Sequence, residues 1–276
     1  MDIKQEKNVN VRLCDTDVRI MSHNVFLFDT PPIKDRSVYF LQEVDLVSPD
    51  VICLQEASEP WHVILPEPMA ERGYAFVPVA NANYDGAEQK NNYNPVIYNT
   101  KRLELIDHFQ FRYSTYRPVT LNRVFTCGVF KDKVSGKNFA CMSTHFTAHH
   151  HDPGDFRITE AAELVEYGVA KVLEKHGNIP TILTGDLNSE YGSAPLRKLS
   201  EKMICVRDLG NVIMNNTDIG TTHYRWGELP TSELPIIDFA FIAGEGYTVK
   251  QYQHVVNEIS VTASDHIAIA LDLELN

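Results

Sequence analysis

The stretch that most constrains the fold is a helix running straight into a buried strand. Phe156 to His176 places apolar residues at 158, 161, 162, 165, 169, 172 and 173, which is helical spacing. Asp152 with Pro153 resembles an N-cap and first helical position, and Gly177 a C-cap. Pro180 then opens Thr181-Ile-Leu-Thr-Gly-Asp-Leu-Asn-Ser-Glu190, whose first residues read as the end of a buried strand. Gly185 lets the chain turn sharply. Asp186 and Asn188 project from the strand end on one side, with Leu187 facing the other way. A carboxylate and an amide at i, i+2 can orient one water molecule: the anion takes a proton and the amide fixes an oxyanion or a phosphate. Asp and Asn are also turn formers, so the spacing alone leaves a plain strand end open.

The rest of the chain reads as many strands and few helices. Strands are expected at Val18–Asn24, 51–54, 74–79, 96–98, 103–111, 123–131, 137–144, 179–184, 221–225, 236–243, 247–256 and 267–273. Those at 96–98 and 103–111 read as a pair around a turn, and those at 123–131 and 137–144 as a hairpin. Helices are expected over 35–47, stopped by Ser48-Pro49, over 58–72, where Pro66 and Pro68 intrude, and over 193–201. The Asn-rich segment 81–94 reads as a long exposed loop. Hairpins together with crossover helices imply mixed sheets with helices outside. No linker or repeat divides the chain, so one domain over 1–276 is expected.

Composition narrows the partners. Hydrophobic residues make up 43% of the 276 residues, enough for a real core. No apolar run is long enough to span a membrane, and the polar start lacks the apolar stretch of a signal peptide. Cys14, Cys53, Cys127, Cys141 and Cys205 include no Cys-x-x-Cys pair. Their odd number, without a signal peptide, points to a reducing cytoplasm. A net charge of -12 disfavours a duplex binder, which neutralises phosphates with Lys and Arg, and favours recruitment of cations.

Further polar groups sit at the ends of apolar runs: Asn24, Glu56, His145 and, just before a strand, Asp265-His266. Asp238 lies inside Ile236-Ile-Asp-Phe-Ala-Phe-Ile242, where a buried carboxylate needs a partner. One such residue is a solvated cap; this many together look like a site assembled at a sheet edge.

At these residues the chain resembles the endonuclease/exonuclease/phosphatase superfamily, the DNase I-like fold. The matching pieces are Met21-Ser-His-Asn-Val25, Val51-Ile-Cys-Leu-Gln-Glu56, Ser143-Thr-His145, Thr184-Gly-Asp-Leu-Asn188, Ile237-Asp-Phe-Ala-Phe241 and Ser264-Asp-His266. They follow the family's order. The resemblance implies an α/β fold, a four-layer α/β/β/α sandwich of two packed mixed sheets, and a divalent-metal phosphoester hydrolase. It implies Glu56 as the main metal ligand, with Asn24 and Asp265 beside it. Asp186 would orient or deprotonate the attacking water, and Asn188 would hold the phosphate or the water. His266, oriented by Asp238, would contact the phosphoryl oxygens. His145 would be a second phosphate-binding group or a leaving-group acid. Carboxylate and amide oxygens independently suit Mg²⁺ or Mn²⁺.

Two segments look like bacterial members known only by superfamily: Tyr93 to Leu105, and Thr222-His223-Tyr224, which precedes their last catalytic Asp. His223 is therefore expected near the substrate, against the alternative of a surface loop. Arg123 begins a strand near the same edge and is either a phosphate-binding group or an ordinary surface residue. Ile-Ile-Asp stands where the family usually has Arg or Lys-Ile-Asp, so one positive charge is missing. His149-His150-His151 reads as an exposed loop rather than a metal site, since consecutive residues cannot all face one ion. The expected substrate is a small phosphorylated molecule such as a sugar phosphate. The alternatives are a nuclease or deadenylase, with nucleic acid disfavoured by the charge, and a non-catalytic binding module, which the retained carboxylates oppose.

Overall fold

Ile20 and Met21 are neighbours on the first strand, yet they enter different cores. Alternation on β1 (Val18–Asn24) turns Ile20 toward a second sheet and Met21 toward a helix. The same division repeats across the molecule and makes it a four-layer sandwich. In this computed structural model the residues described are 14, 17–78, 93–115, 123–148, 154, 156–222 and 226–276.

The first sheet has seven strands. They run in the order β10 (Ile213–Asn215), β12 (Tyr247–His254), β13 (Ile269–Leu275), β1, β2 (Val51–Gln55), β4 (Val96–Asn99), β3 (Tyr74–Phe76). The second has six, in the order β5 (Leu103–Arg112), β6 (Val124–Asp132), β7 (Asn138–His145), β8 (Thr181–Asp186), β11 (Asp238–Ala243), β9 (Ile204–Cys205). Both sheets are mixed: β1 and β2 are parallel, as are β7 and β8, whereas β13, β4, β6 and β11 join antiparallel. Between the sheets pack Ile20, Cys53, Phe130, Phe139, Cys141, Ile182, Ile242 and Leu271. Outside the first sheet, Met21, Ile52 and Leu54 meet Phe40, Val44 and Val47 of α1 (Ile33–Val47) and Trp61 of α2 (Glu59–Ile64). Outside the second, Phe125, Met142 and Leu183 meet Leu164 of α4 (Phe156–Leu164), Val172 of α5 (Ala170–His176) and Leu196 of α6 (Ala194–Leu199). The expected fold class is the observed one.

Several local expectations change. The helix expected over 58–72 is two short ones, α2 and α3 (Pro66–Glu71), because Pro66 cannot continue the first helix's hydrogen bonding. The helix expected over 156–176 is interrupted by a π-helical turn at Val165–Val169. There Gly168 lies so near Met142 and Phe125 that an added Cβ would sit 3.1 Å from each. The pair expected at 96–98 and 103–111 is not a pair: β4 and β5 belong to different sheets, and a short turn carries the chain between them. Strands β9 and β10 and the helix α7 (Ser260–Ala263) are too short to have shown a period. His223, the His149–His151 loop, the Asp152-Pro153 cap and most of the 81–94 segment lie outside the described residues.

Candidate active site

The site grows from strand ends. β1 and β2 end side by side in the first sheet, with Asn24 opposite Gln55 and Glu56 one residue on. β7 and β8 end side by side in the second, with His145 opposite Asp186. β11 starts there, with Asp238 opposite Asp186 on its other side. Facing sheets thus bring these ends to one edge, and the turn before β13 adds Ser264, Asp265 and His266. Each parallel pair therefore presents its polar residue at the same end.

Asp186 Oδ2 is the centre. Asn24 Nδ2 donates to it at 3.0 Å, His145 Nε2 lies 3.3 Å away and His266 Nε2 3.9 Å away. Asp186 Oδ1 accepts from the Asn188 backbone N–H at 2.9 Å. Asn24 Nδ2 also reaches Glu56 Oε1 at 3.3 Å, so one amide joins carboxylates of both sheets. Glu56 Oε2 accepts from Leu27 N–H at 2.9 Å. Asn188 Nδ2 donates to His145 Nε2 at 2.9 Å and to the Phe146 carbonyl at 3.0 Å. His266 Nδ1 is 2.9 Å from Asp238 Oδ2. Ser264 Oγ donates to the Asn24 carbonyl at 2.5 Å, tying the His266 turn to β1.

The two histidines are driven apart. Burial, then the charges of Arg123 and His266, push His145 well below the ordinary histidine range. It is neutral, with Nε2 accepting from Asn188. For His266, burial acts against the charge, but Asp238, then Asp186 and Asp265, outweigh it and raise the group well above that range. Burial, then the charge of Asp238, pushes the Asp186 carboxyl up to about 7. Burial also raises Glu56, with Asp265 adding to it and the Leu27 N–H opposing.

Arg123 is not a surface residue: it is 2% exposed. Its Nη1 donates to the His145 carbonyl at 3.4 Å, and among the described residues its Nε has no partner. Sequence reasoning missed Arg157, whose guanidinium holds the Asn188 carbonyl, and the backbone N–H groups of Phe26 and Leu27 on Asn24 and Glu56. A lone Arg at a helix start and bare amides carry no sequence signature of such roles.

The donor set fits a hard divalent cation. The Glu56 carboxylate sits where burial and the neighbouring charge of Asp265 disfavour its charge, and among the described residues no Lys or Arg ion-pairs with Glu56 or Asp265. A bound cation offsets that charge. Ligand atoms of Asp186, Asp238 and His266 also lie within 4.8 Å of one another, but the Asp238–His266 contact already balances part of that charge.

A family model, that of the endonuclease/exonuclease/phosphatase family, matches residues 21–266. The chain belongs to the endonuclease/exonuclease/phosphatase family. It is accordingly an enzyme, a divalent-metal-dependent phosphoester hydrolase. Solved structures share the fold at low identity. A Bacteroides vulgatus family member is 22% identical with a TM-score of 0.75, covering 95% of this chain and 100% of its own. A mannosyl-6-phosphatase from Bacteroides thetaiotaomicron is 18% identical with a TM-score of 0.72, covering 94% and 100%. The human nocturnin catalytic domain is 18% identical with a TM-score of 0.69, covering 97% of each chain. No curated protein sequence matches the chain. No helix of the described residues is long and apolar enough to cross a membrane.

Proposed function

We propose that residues 1–276 form one domain that hydrolyses a small phosphorylated molecule, such as a sugar phosphate, with Mg²⁺ or Mn²⁺ bound. The observation that carries this reading is the convergence of Asn24, His145 and His266 nitrogens on Asp186 Oδ2. It leaves one carboxylate oxygen among groups of opposite protonation preference, which suits proton transfer from a water.

Asp186 takes the proton of the attacking water. Asn188 fixes that water or the phosphate and sets the tautomer of His145. His145, held neutral, stands on the water side rather than as a leaving-group acid. His266, held charged by Asp238, contacts the phosphoryl oxygens. Glu56, Asn24 and Asp265 would hold the metal, and when bound it stabilises charge on those oxygens as a Lewis acid. Arg123 supplies positive charge behind His145, toward the phosphate. His223 is proposed as a further substrate contact. The free thiols Cys53, Cys127, Cys141 and Cys205 suit a reducing compartment such as the cytoplasm.

A small substrate is supported by the engagement of Arg36 and Arg157, among the described residues, with main-chain carbonyls, and by the mannosyl-6-phosphatase among the fold relatives. The test is a screen of sugar phosphates, other phosphomonoesters, nucleotides and oligonucleotides with Mg²⁺ and Mn²⁺. Metal-dependent turnover of a small phosphomonoester, lost in EDTA, is expected. Full activity in EDTA, or turnover of oligonucleotides alone, overturns the reading.

A further inference from the structure

We propose that Arg36 is a positioning residue that aims two backbone amides of the 25–28 loop at the metal ligands Asn24 and Glu56. This rests on the ligand roles proposed above.

Arg36 lies on α1 and is 1% exposed, a costly place for a charge. Among the described residues it ion-pairs with no carboxylate. Its donors go instead to main-chain carbonyls: Nε to Pro31 at 2.9 Å, Nη1 to Val25 at 2.7 Å and Ala263 at 3.1 Å, and Nη2 to Phe26 at 3.0 Å and Phe28 at 2.6 Å. Every N–H of the guanidinium is thereby used. Rings of Phe26, Trp61 and Trp226 enclose it, with centroids 5.2 to 5.5 Å from the guanidinium carbon. Burial lowers its pKa to about 10, against the pull of Asp265, Asp29 and Glu56, so it stays charged at neutral pH.

The geometry follows from the planar trans peptide, whose C=O and N–H point in opposite directions. In the peptide joining Val25 to Phe26, the carbonyl faces Arg36 and the N–H donates to Asn24 Oδ1 at 3.1 Å. In the next peptide, the Phe26 carbonyl faces Arg36 and the Leu27 N–H donates to Glu56 Oε2 at 2.9 Å. One cation thus holds the back of two peptides whose fronts hold two ligands. A carbonyl bound to a charged donor also makes its own peptide N–H a better donor.

Phe26 adopts φ +56°, a left-handed conformation uncommon for a bulky residue and sustained only where surroundings enforce it. That turn is what sends successive amides to one side. Through Ala263 the same guanidinium reaches the segment leading to Asp265. A structural brace alone would not require both faces of each peptide to be engaged this way.

The test measures Mn²⁺ binding by calorimetry on the EDTA-dialysed full chain, well below the melting temperature. Arg36→Lys keeps the charge but cannot span the carbonyls, and its Mn²⁺ Kd should rise about tenfold or more, as for other groups that orient ligands. A role confined to stability would lower Tm and leave that Kd unchanged. Trp61→Phe is the second variant: Trp61 Nε1 donates at 3.2 Å to the same Phe26 carbonyl that Arg36 holds, and loss of that donor with the ring kept should raise the Kd in the same direction by less. An unchanged Kd in folded Arg36→Lys overturns the proposal. Should Arg36→Lys fail to fold, an unchanged Kd in Trp61→Phe overturns it. Glu56→Gln separates the two readings: unchanged Mn²⁺ binding there would mean that the ligand assignment itself is wrong.

Discussion

His145 and His266 lie against the same carboxylate oxygen, yet their surroundings leave the first neutral and the second charged. The difference is the second neighbour of each ring. Arg123 and Asn188 stand beside His145, one repelling a proton and the other occupying its Nε2. Asp238 stands beside Nδ1 of His266 and holds a proton there. Asp238→Asn removes that charge while keeping the shape, and an amide can favour the wrong tautomer. On the proposed roles, kcat should fall by about 10²-fold or more. KM should move less. The sign of the pH effect follows from the raised pKa: less negative charge lowers the His266 pKa, so the imidazolium is lost at lower pH. The alkaline limb of the pH–rate profile should therefore shift toward acid. An unchanged rate with an unmoved alkaline limb would show that Asp238 and His266 do not act together.

At the scale of elements, the site depends on β7 and β8 approaching closely as they deliver His145 and Asp186. Gly185 permits this. With φ +156°, its backbone runs so near β7 that an added Cβ would sit 1.9 Å from the Thr144 carbonyl oxygen. That oxygen belongs to a strand, not to a flexible side-chain end, and cannot give way cheaply. Gly185→Ala should therefore destabilise the protein by roughly 3 kcal/mol or more, the range of severe backbone and packing defects. A denaturant midpoint within error of wild type would refute this account. The sequence announced Gly185, Asp186 and Asn188 because a buried strand, a sharp turn and two polar groups follow directly on one another. Asn24, Glu56 and His145 were legible for the same reason: each ends an apolar run. Arg36 was not. Its partners are main-chain carbonyls, which any sequence supplies, and the only trace is a cation on the apolar face of α1, four residues before Phe40. The sheet change between β4 and β5 was equally hidden, since a short turn between apolar runs reads as a hairpin until the partner strands are known. The burial of Arg123 came from packing around His145, not from any local pattern.

At the scale of the whole molecule, charge decides which phosphoester can be held. The net charge is -12, so a polyanion approaches against the field unless local cations reverse it. Among the described residues from 145 to 176 the cations are spoken for. Arg157 holds the Asn188 carbonyl, Lys171 lies 4.0 Å from the Phe109 ring centroid, and Lys175 pairs with Asp107 at 2.8 Å. Arg123 is buried behind His145. A nucleic acid held by many phosphate contacts releases a counterion at each, and six to ten contacts cost about 10³- to 10⁵-fold in affinity between roughly 50 and 200 mM salt. A single phosphate held by the metal and His266 releases few. We therefore expect kcat/KM for a small phosphomonoester to change by less than about threefold over that same salt range, with oligonucleotides turned over more slowly at every salt concentration. The measurement is log kcat/KM against log salt for both substrate classes at fixed free Mg²⁺. A steep negative slope, together with faster turnover of oligonucleotides at low salt, would mean that residues outside this set build a cationic groove strong enough to overcome the global charge.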